Sequence, residues 1–171
     1  PGARQEALGN PLLMRVPLAA GVRVVMAHCA SLGHALDTDR ADAPRVPAFE
    51  LFARLMDERA HEGRLLGDLS AVLQINRRTD VARRLLERDD WHGRLLHGSD
   101  YPLPGIPVLT RPQRLADAGL LDAKAVPVLA TLREHNPLLF DLVLKRSLRL
   151  PGATRPGLPA VVFETRRHFT A

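Results

Sequence analysis

A single cysteine, Cys29, stands in the 171 residues. An internal disulfide is therefore excluded, and a reducing compartment, the cytoplasm, is the expectation. Lysine is nearly absent: only Lys124 and Lys145 occur, so the formal charge of +5 rests on arginine. Arg15, Arg54, Arg94 and Arg133 show how evenly the arginines are spread. Nucleic-acid binders more often gather them on one face with aromatics between. Aromatics are scarce too, with one Trp, one Tyr and five Phe, so few rings are available for bases to stack on. Nucleic acid is not expected as a partner, and an arginine-rich solvated surface is. No apolar run nears the roughly 20 residues of a membrane span. No basic stretch followed by an apolar one opens the chain as a signal peptide would. No membrane partner is expected. Methionine does not stand first; Pro1 does, and the expectation is that the start was removed or never recorded.

What is present is a core. Apolar residues make up 46% of the chain, enough for one domain of ordinary size. Leu12 to Ala20 reads as a helix that stops at Gly21, with Pro17 as a blemish. VRVVMAH, Val22 to His28, is a β-branched apolar run and a candidate buried strand. Cys29 to Pro47 is a long polar connection. Ala48 to Arg59 turns helical, with Phe49, Phe52 and Met56 on one face, and Gly63 is a plausible stop. RLLGDLSAV, Arg64 to Val72, is a second strand candidate. A short helix follows over Asp80 to Glu87, and RLLHGS, Arg94 to Ser99, is the third strand candidate.

Arg111 to Ala118 and Asp122 to Glu134 are helical, with Asp122 placed to cap the second. Asn136 and Pro137 read as N-cap and first residue of a last helix, NPLLFDLVLKRSL, apolar on most faces and expected to be buried. Pro151 to Pro159 is expected to be extended, and Val161 to Phe169 to dock as strand or helix. Short apolar strands alternating with helices imply parallel βαβ units and an α/β class.

Each strand candidate finishes near a histidine or a carboxylate: His28, Asp68 and Asp100. In parallel α/β sheets and barrels, sites form at the carboxyl ends of strands. One histidine and two carboxylates suit metal ligation and proton transfer. Each also has a plainer reading: Asp68 as a cap, His28 as a satisfied buried histidine, Asp100 as a turn former before Tyr101 and Pro102. Cys29 alternates away from His28 and is taken as structural. His34 and His61 are expected in solvent, and His97 beneath the strand ends.

VVMAHCASLG, GDLSAV, RLLHGSDYPLPG and HNPLLFDLVLKRSL together resemble the C-terminal part of the amidohydrolase superfamily. The similar branch is the amidohydrolase-related group, which includes aminocarboxymuconate-semialdehyde decarboxylase-like enzymes. The resemblance implies the C-terminal portion of a (β/α)8 TIM barrel, about strands 6 to 8 with their helices. Residues 1–150 would be that barrel part and 151–171 a C-terminal extension. It implies a divalent metal ion, zinc in first place. Asp100 would match the strand-8 aspartate, a metal ligand that also takes a proton from the attacking water. His28 would match the strand-6 histidine, a metal ligand or a substrate contact. Asp68 matches no general ligand and is expected to support or cap.

The family's His-x-His pair has no counterpart in the sequence, so the chain is expected to be a fragment, inactive alone. The expected function is hydrolysis of a C–N or C–O bond of a small-molecule substrate by metal-activated water. Metal-dependent decarboxylation, or a non-catalytic degenerate barrel serving as an interaction module, are the alternatives. A homo-oligomer is compatible with the reading, and the substrate-binding residues are not identified by the sequence.

Overall fold

A computed structural model describes residues 8–169. The chain divides into two compact units, Pro1–Asp68 and Leu69–Ala171. Both mix helix with short strand, and the class is α/β.

In the first unit, the segment predicted as a helix begins as a 3-10 turn, Pro11–Met14, capped by the Asn10 side chain accepting the Leu12 N–H. It continues as α1, Arg15–Ala19. Strand β1 is Val24–Met26, shorter than the apolar run that announced it. Val25 is exposed, so β1 is not the fully buried strand expected.

The polar stretch after it is not an unstructured connection. β2, His34–Leu36, and β3, Arg45–Pro47, pair antiparallel, with Ala35 opposite Val46. The hairpin escaped the sequence because its strands are three residues each and carry no apolar alternation. Helix α2, Ala48–Asp57, buries Phe49, Leu51, Phe52, Leu55 and Met56, and the two phenyl rings lie 5.9 Å apart. Spacing of i, i+3 and i+7 predicts that face, and the structure keeps it. Gly63 adopts a φ of +79°, which a β-carbon would resist, and turns the chain into β4, Leu65–Asp68. β4 runs parallel to β1, with Val24, Val25 and Met26 opposite Leu65, Leu66 and Gly67.

His61 is a correction. It was expected in solvent, yet it is buried, with Nε2 2.7 Å from Glu58 Oε2 one helical turn back. His34 is exposed, as expected.

The second unit opens at Leu69, whose N–H donates to the Leu96 carbonyl at 2.8 Å. Helix α3, Thr79–Glu87, buries Val81, Ala82, Leu85 and Leu86. A 3-10 stretch, Asp89–Arg94, then carries the fully buried Trp91, with the Arg88 guanidinium 4.0 Å over its ring. β5 is only Leu95–Leu96, both buried. Three helices follow: α4, Pro112–Asp117, α5, Ala125–His135, and α6, Pro137–Ser147.

Asn136 caps α6 as its sequence predicts, its Oδ1 accepting the Leu139 N–H at 2.9 Å ahead of Pro137. Asp122 does not cap α5 directly. Its Oδ1 accepts the Lys124 N–H, closing the turn that leads into the helix. α6 is not buried all round either. Leu138 and Leu139 are exposed, while Phe140, Asp141, Leu144 and Lys145 face inward. Beyond Pro151 the chain makes turns and two 3-10 stretches, Ala160–Phe163 and Thr165–His168, with Leu158 and Val162 buried. Among the described residues no helix is long and apolar enough to cross a membrane.

Candidate functional site

The first group of side chains gathers where β1 and β4 end. Parallel pairing sends both strands the same way, so His28 and Asp68 leave at the same end. Asp68 Oδ2 accepts the His28 backbone N–H at 3.3 Å and lies 3.6 Å from His28 Nδ1. The chain here is unusual. His28, Cys29 and Ala30 have φ of 55°, 50° and 48°, three successive non-glycine residues in the left-handed region. Such conformations cost of order 1–3 kcal/mol each and persist only where the surroundings hold them.

Asp68 and Cys29 are what hold them. The carboxylate takes the His28 N–H, and the fully buried Cys29 thiol donates to the Asp68 carbonyl at 3.3 Å. Cys29 packs structurally, but not by strand alternation: β1 ends at Met26, and Cys29 lies in the left-handed turn beyond it. Both plainer readings of Asp68 merge: it caps the turn, and the turn it caps carries His28. With Nδ1 turned to Asp68, the ring leaves Nε2 as its other working nitrogen.

The second group follows β5. Gly98 is anchored by Lys145 of α6, whose Nζ donates to the Gly98 carbonyl and to Asp141 Oδ2, both at 2.6 Å. Lys145 is 1% exposed, an unusual burial for a lysine, and the paired carboxylate is what permits it. His97 packs in the same cluster. Its N–H donates to the Val162 carbonyl, its ring meets Phe163 at 5.3 Å, and its Nδ1 is 4.0 Å from Asp141 Oδ2.

Ser99 Oγ accepts the Tyr101 N–H, and the Asp100 carbonyl accepts from Leu103 at 3.0 Å. These bonds fix Asp100 in a turn, half-buried, with φ 56°. A turn-forming role and a site role for Asp100 are both compatible with that geometry. Across this turn lies the loop after β4. There Ala71 also has a left-handed φ, 54°, and Gln74 and Arg77 are buried. Burial pulls the Arg77 guanidinium below its ordinary pKa, and the Asp100 carboxylate pulls it back.

Two concavities bear on where a ligand could sit. A cavity of about 10 Å³ is lined by Gln74, Ser99, Thr110, Asp141 and Lys145 among others, room for one water-sized group. Lys145 is therefore an anchor and not an amine that meets a substrate. An open groove of about 400 Å³ runs beside Leu121, Asp122, Arg149 and Pro151 and holds none of the strand-end residues.

Sequence reasoning missed an ionic network in the first unit. Arg54 of α2 makes a two-pronged contact with the buried Asp37, 2.6 Å on each side, and reaches Asp39 at 2.8 Å. Arg15 joins Asp39 at 2.5 Å and also pairs with Glu58. Hydrogen bonds from Arg54 lower the Asp37 carboxyl, and those from Arg15 and Arg54 bring Asp39 down to about 2. The network is a brace, in which two arginines bond all three acids.

His28 with Asp68 gives two donors that a metal ion could use. Among the described residues no group of three or more His, Cys, Asp or Glu side chains converges to hold an ion. A catalytic zinc takes three protein ligands, so these residues do not complete a zinc site. No protein-family model matches the chain, and neither a curated protein nor a solved structure matches it.

Proposed function

We propose that the chain carries acid–base side chains of a metal-dependent hydrolase of the amidohydrolase kind, built on the last strands of a (β/α)8 barrel. Asp100 takes the proton of an attacking water. His28, oriented by Asp68, steadies negative charge on the small-molecule substrate as a C–N or C–O bond is broken. The observation that carries this reading is in the backbone. His28 and Asp100 each follow a short strand, and each sits in the left-handed region at φ near 55°. Among the described residues six non-glycine residues have positive φ, and five of them fall in the three segments that follow β1, β4 and β5. Cys29, Ala30 and Ala71 have no side-chain oxygen with which to stabilise that conformation, so the fold imposes it there. Strain gathers at working sites for this reason.

The cofactor belonging to this reading is a divalent ion, zinc in first place, which would lower the pKa of a bound water. The described residues supply fewer donors than that ion takes, so the proton steps assigned here run on Asp100 and His28 alone.

The test is Asp100→Asn in the full-length gene product. Turnover of a panel of small amides, lactones and esters should fall about 10²-fold or more, the usual worth of a positioned acid–base group. His28→Asn should lower it as well. Turnover by Asp100→Asn equal to that of the unaltered protein would remove Asp100 from the reaction.

A further inference from the structure

Three neutral polar side chains of the second unit converge on one cavity. Gln74, Ser99 and Thr110 line the space of about 10 Å³, with Asp141 and Lys145 beside them. Gln74 is 7% and Thr110 8% exposed, and Ser99 is half-buried. Among the described residues the Gln74 amide and the Thr110 hydroxyl make no hydrogen bond within the chain. Ser99 Oγ accepts the Tyr101 N–H, and its own O–H donates to no group of the chain among those residues. A buried polar group left unmet is costly, and folded proteins rarely keep one so. Three of them facing one small space point to a partner held inside it.

The walls of that space are fixed by other bonds. The Ile75 N–H donates to the Leu109 carbonyl at 2.8 Å, which sets Gln74 and Thr110 side by side. Arg114 of α4 donates to the Gln74 carbonyl at 3.1 Å, and Arg133 of α5 to the Thr110 carbonyl at 2.6 Å. Lys145 of α6 donates to the Gly98 carbonyl at 2.6 Å, which brings Ser99 up to the same helix. The backbone of each lining segment is thus held, and its side chain is what faces the cavity.

We propose that this cavity is the binding site of one structural water, which joins Gln74, Ser99 and Thr110 and so ties the Asp100 turn to the loop after β4. Size sets the limit, since about 10–15 Å³ of such volume holds one water and nothing larger. Charge selects a neutral occupant. The Asp141 carboxylate is already paired with the Lys145 ammonium at 2.6 Å, and a bare cation would face that ammonium. Bonding capacity agrees as well. The Gln74 amide both donates and accepts, as the Ser99 and Thr110 hydroxyls can, and a water with two donors and two lone pairs meets them in either sense. Buried waters typically make about three such bonds. The site stands apart from the hydrolase reading and does not depend on it.

The experiment is a crystal structure of the full-length gene product, sharp enough to resolve ordered water, with oxygen-17 relaxation dispersion in solution beside it. The expected density is a single peak at hydrogen-bond distance, about 3 Å, from Gln74, Ser99 and Thr110. Relaxation dispersion counts the waters that stay inside a protein longer than it takes to tumble. Gln74→Met combined with Thr110→Val keeps the shape of the walls and removes two of the three partners. That variant should hold one long-lived water fewer than the unaltered protein.

A cavity without density would overturn the proposal. So would Gln74 and Thr110 bonded directly to each other across it, or a peak with the short contacts of a metal ion. An unchanged count of long-lived waters in the double variant would overturn it too. The density is read in the unaltered protein, so the proposal stays exposed to failure even where the variant does not fold.

Discussion

The Asp68 carboxylate spans His28 from backbone to ring: Oδ2 takes the N–H at 3.3 Å and stands 3.6 Å from Nδ1. The turn it closes holds three left-handed residues that sterics alone disfavour. Asp68→Ala should therefore destabilise the protein by about 1–3 kcal/mol, the cost of leaving a partly buried donor unmet. Asp68→Asn, which keeps an acceptor, should cost less. Urea unfolding midpoints at constant slope would show the difference. Equal stability of Asp68→Ala and the unaltered protein would mean that the carboxylate does not hold the turn.

Arg54 and Asp37 make a two-pronged ionic contact in the first unit, two bonds of 2.6 Å to a carboxylate that is 2% exposed. Arg54→Ala would strand that carboxylate, and a loss of about 3 kcal/mol is expected. Arg40 and Asp42 provide the control. Both side chains are 62% exposed, so Arg40→Ala should change stability by less than about 1 kcal/mol. Chemical denaturation of the two variants side by side checks the contrast.

Acid should loosen the same network. Hydrogen bonds from arginine hold the Asp37, Asp39 and Glu58 carboxyls below their ordinary range, with Asp39 at about 2. Each carboxyl is thus lower in the folded chain than in the unfolded one, where it titrates near 4. Its contribution is complete above about pH 4 and is lost as pH falls toward 2. A urea midpoint measured against pH should decline over that window. The decline should be shallower in Arg54→Ala, which has already lost the partner of Asp37.

Lys145 and Asp141 should show the signature of a buried pair. Lys145→Met leaves Asp141 with an uncompensated charge and should cost about 3–5 kcal/mol. Replacing both, Lys145→Met with Asp141→Leu, should recover much of that loss, because no charge then remains unpaired. Thermal unfolding of the single and double variants, compared as a cycle, measures the recovery. A double variant as weak as the single would show that the Gly98 contact, and not charge pairing, dominates.

Part of this structure was legible in the sequence because its signals are local. Asn136 before Pro137 announces the start of α6, and Phe49, Phe52 and Met56 announce the buried face of α2. Apolar runs that stop near polar residues announce β1, β4 and β5 in the same way, although β1 ends at Met26 and β5 at Leu96, short of His28 and Asp100. What was not legible depends on partners far along the chain. Arg54 reaches Asp37 across 17 residues, and no spacing rule reports it.

His61 looked solvated because a histidine beside Glu62 and Gly63 reads as a loop. Its burial comes from folding the end of α2 back, so that Glu58 meets the ring. The left-handed run from His28 to Ala30 carries no glycine or asparagine to betray it. Arg77 is buried as well, in a loop whose Gln74 and Arg77 carbonyls accept from Arg114, 40 and 37 residues away.

The measurement that bears most directly on the account is metal content. The full-length gene product and its Asp100→Asn variant would be equilibrated with zinc under identical conditions, and bound metal counted by mass spectrometry. If Asp100 is a ligand, the unaltered protein retains zinc and the variant retains several-fold less, while both unfold at similar urea concentrations. Equal zinc in the two proteins, or none in either, would contradict the assignment of Asp100 to a metal-dependent site.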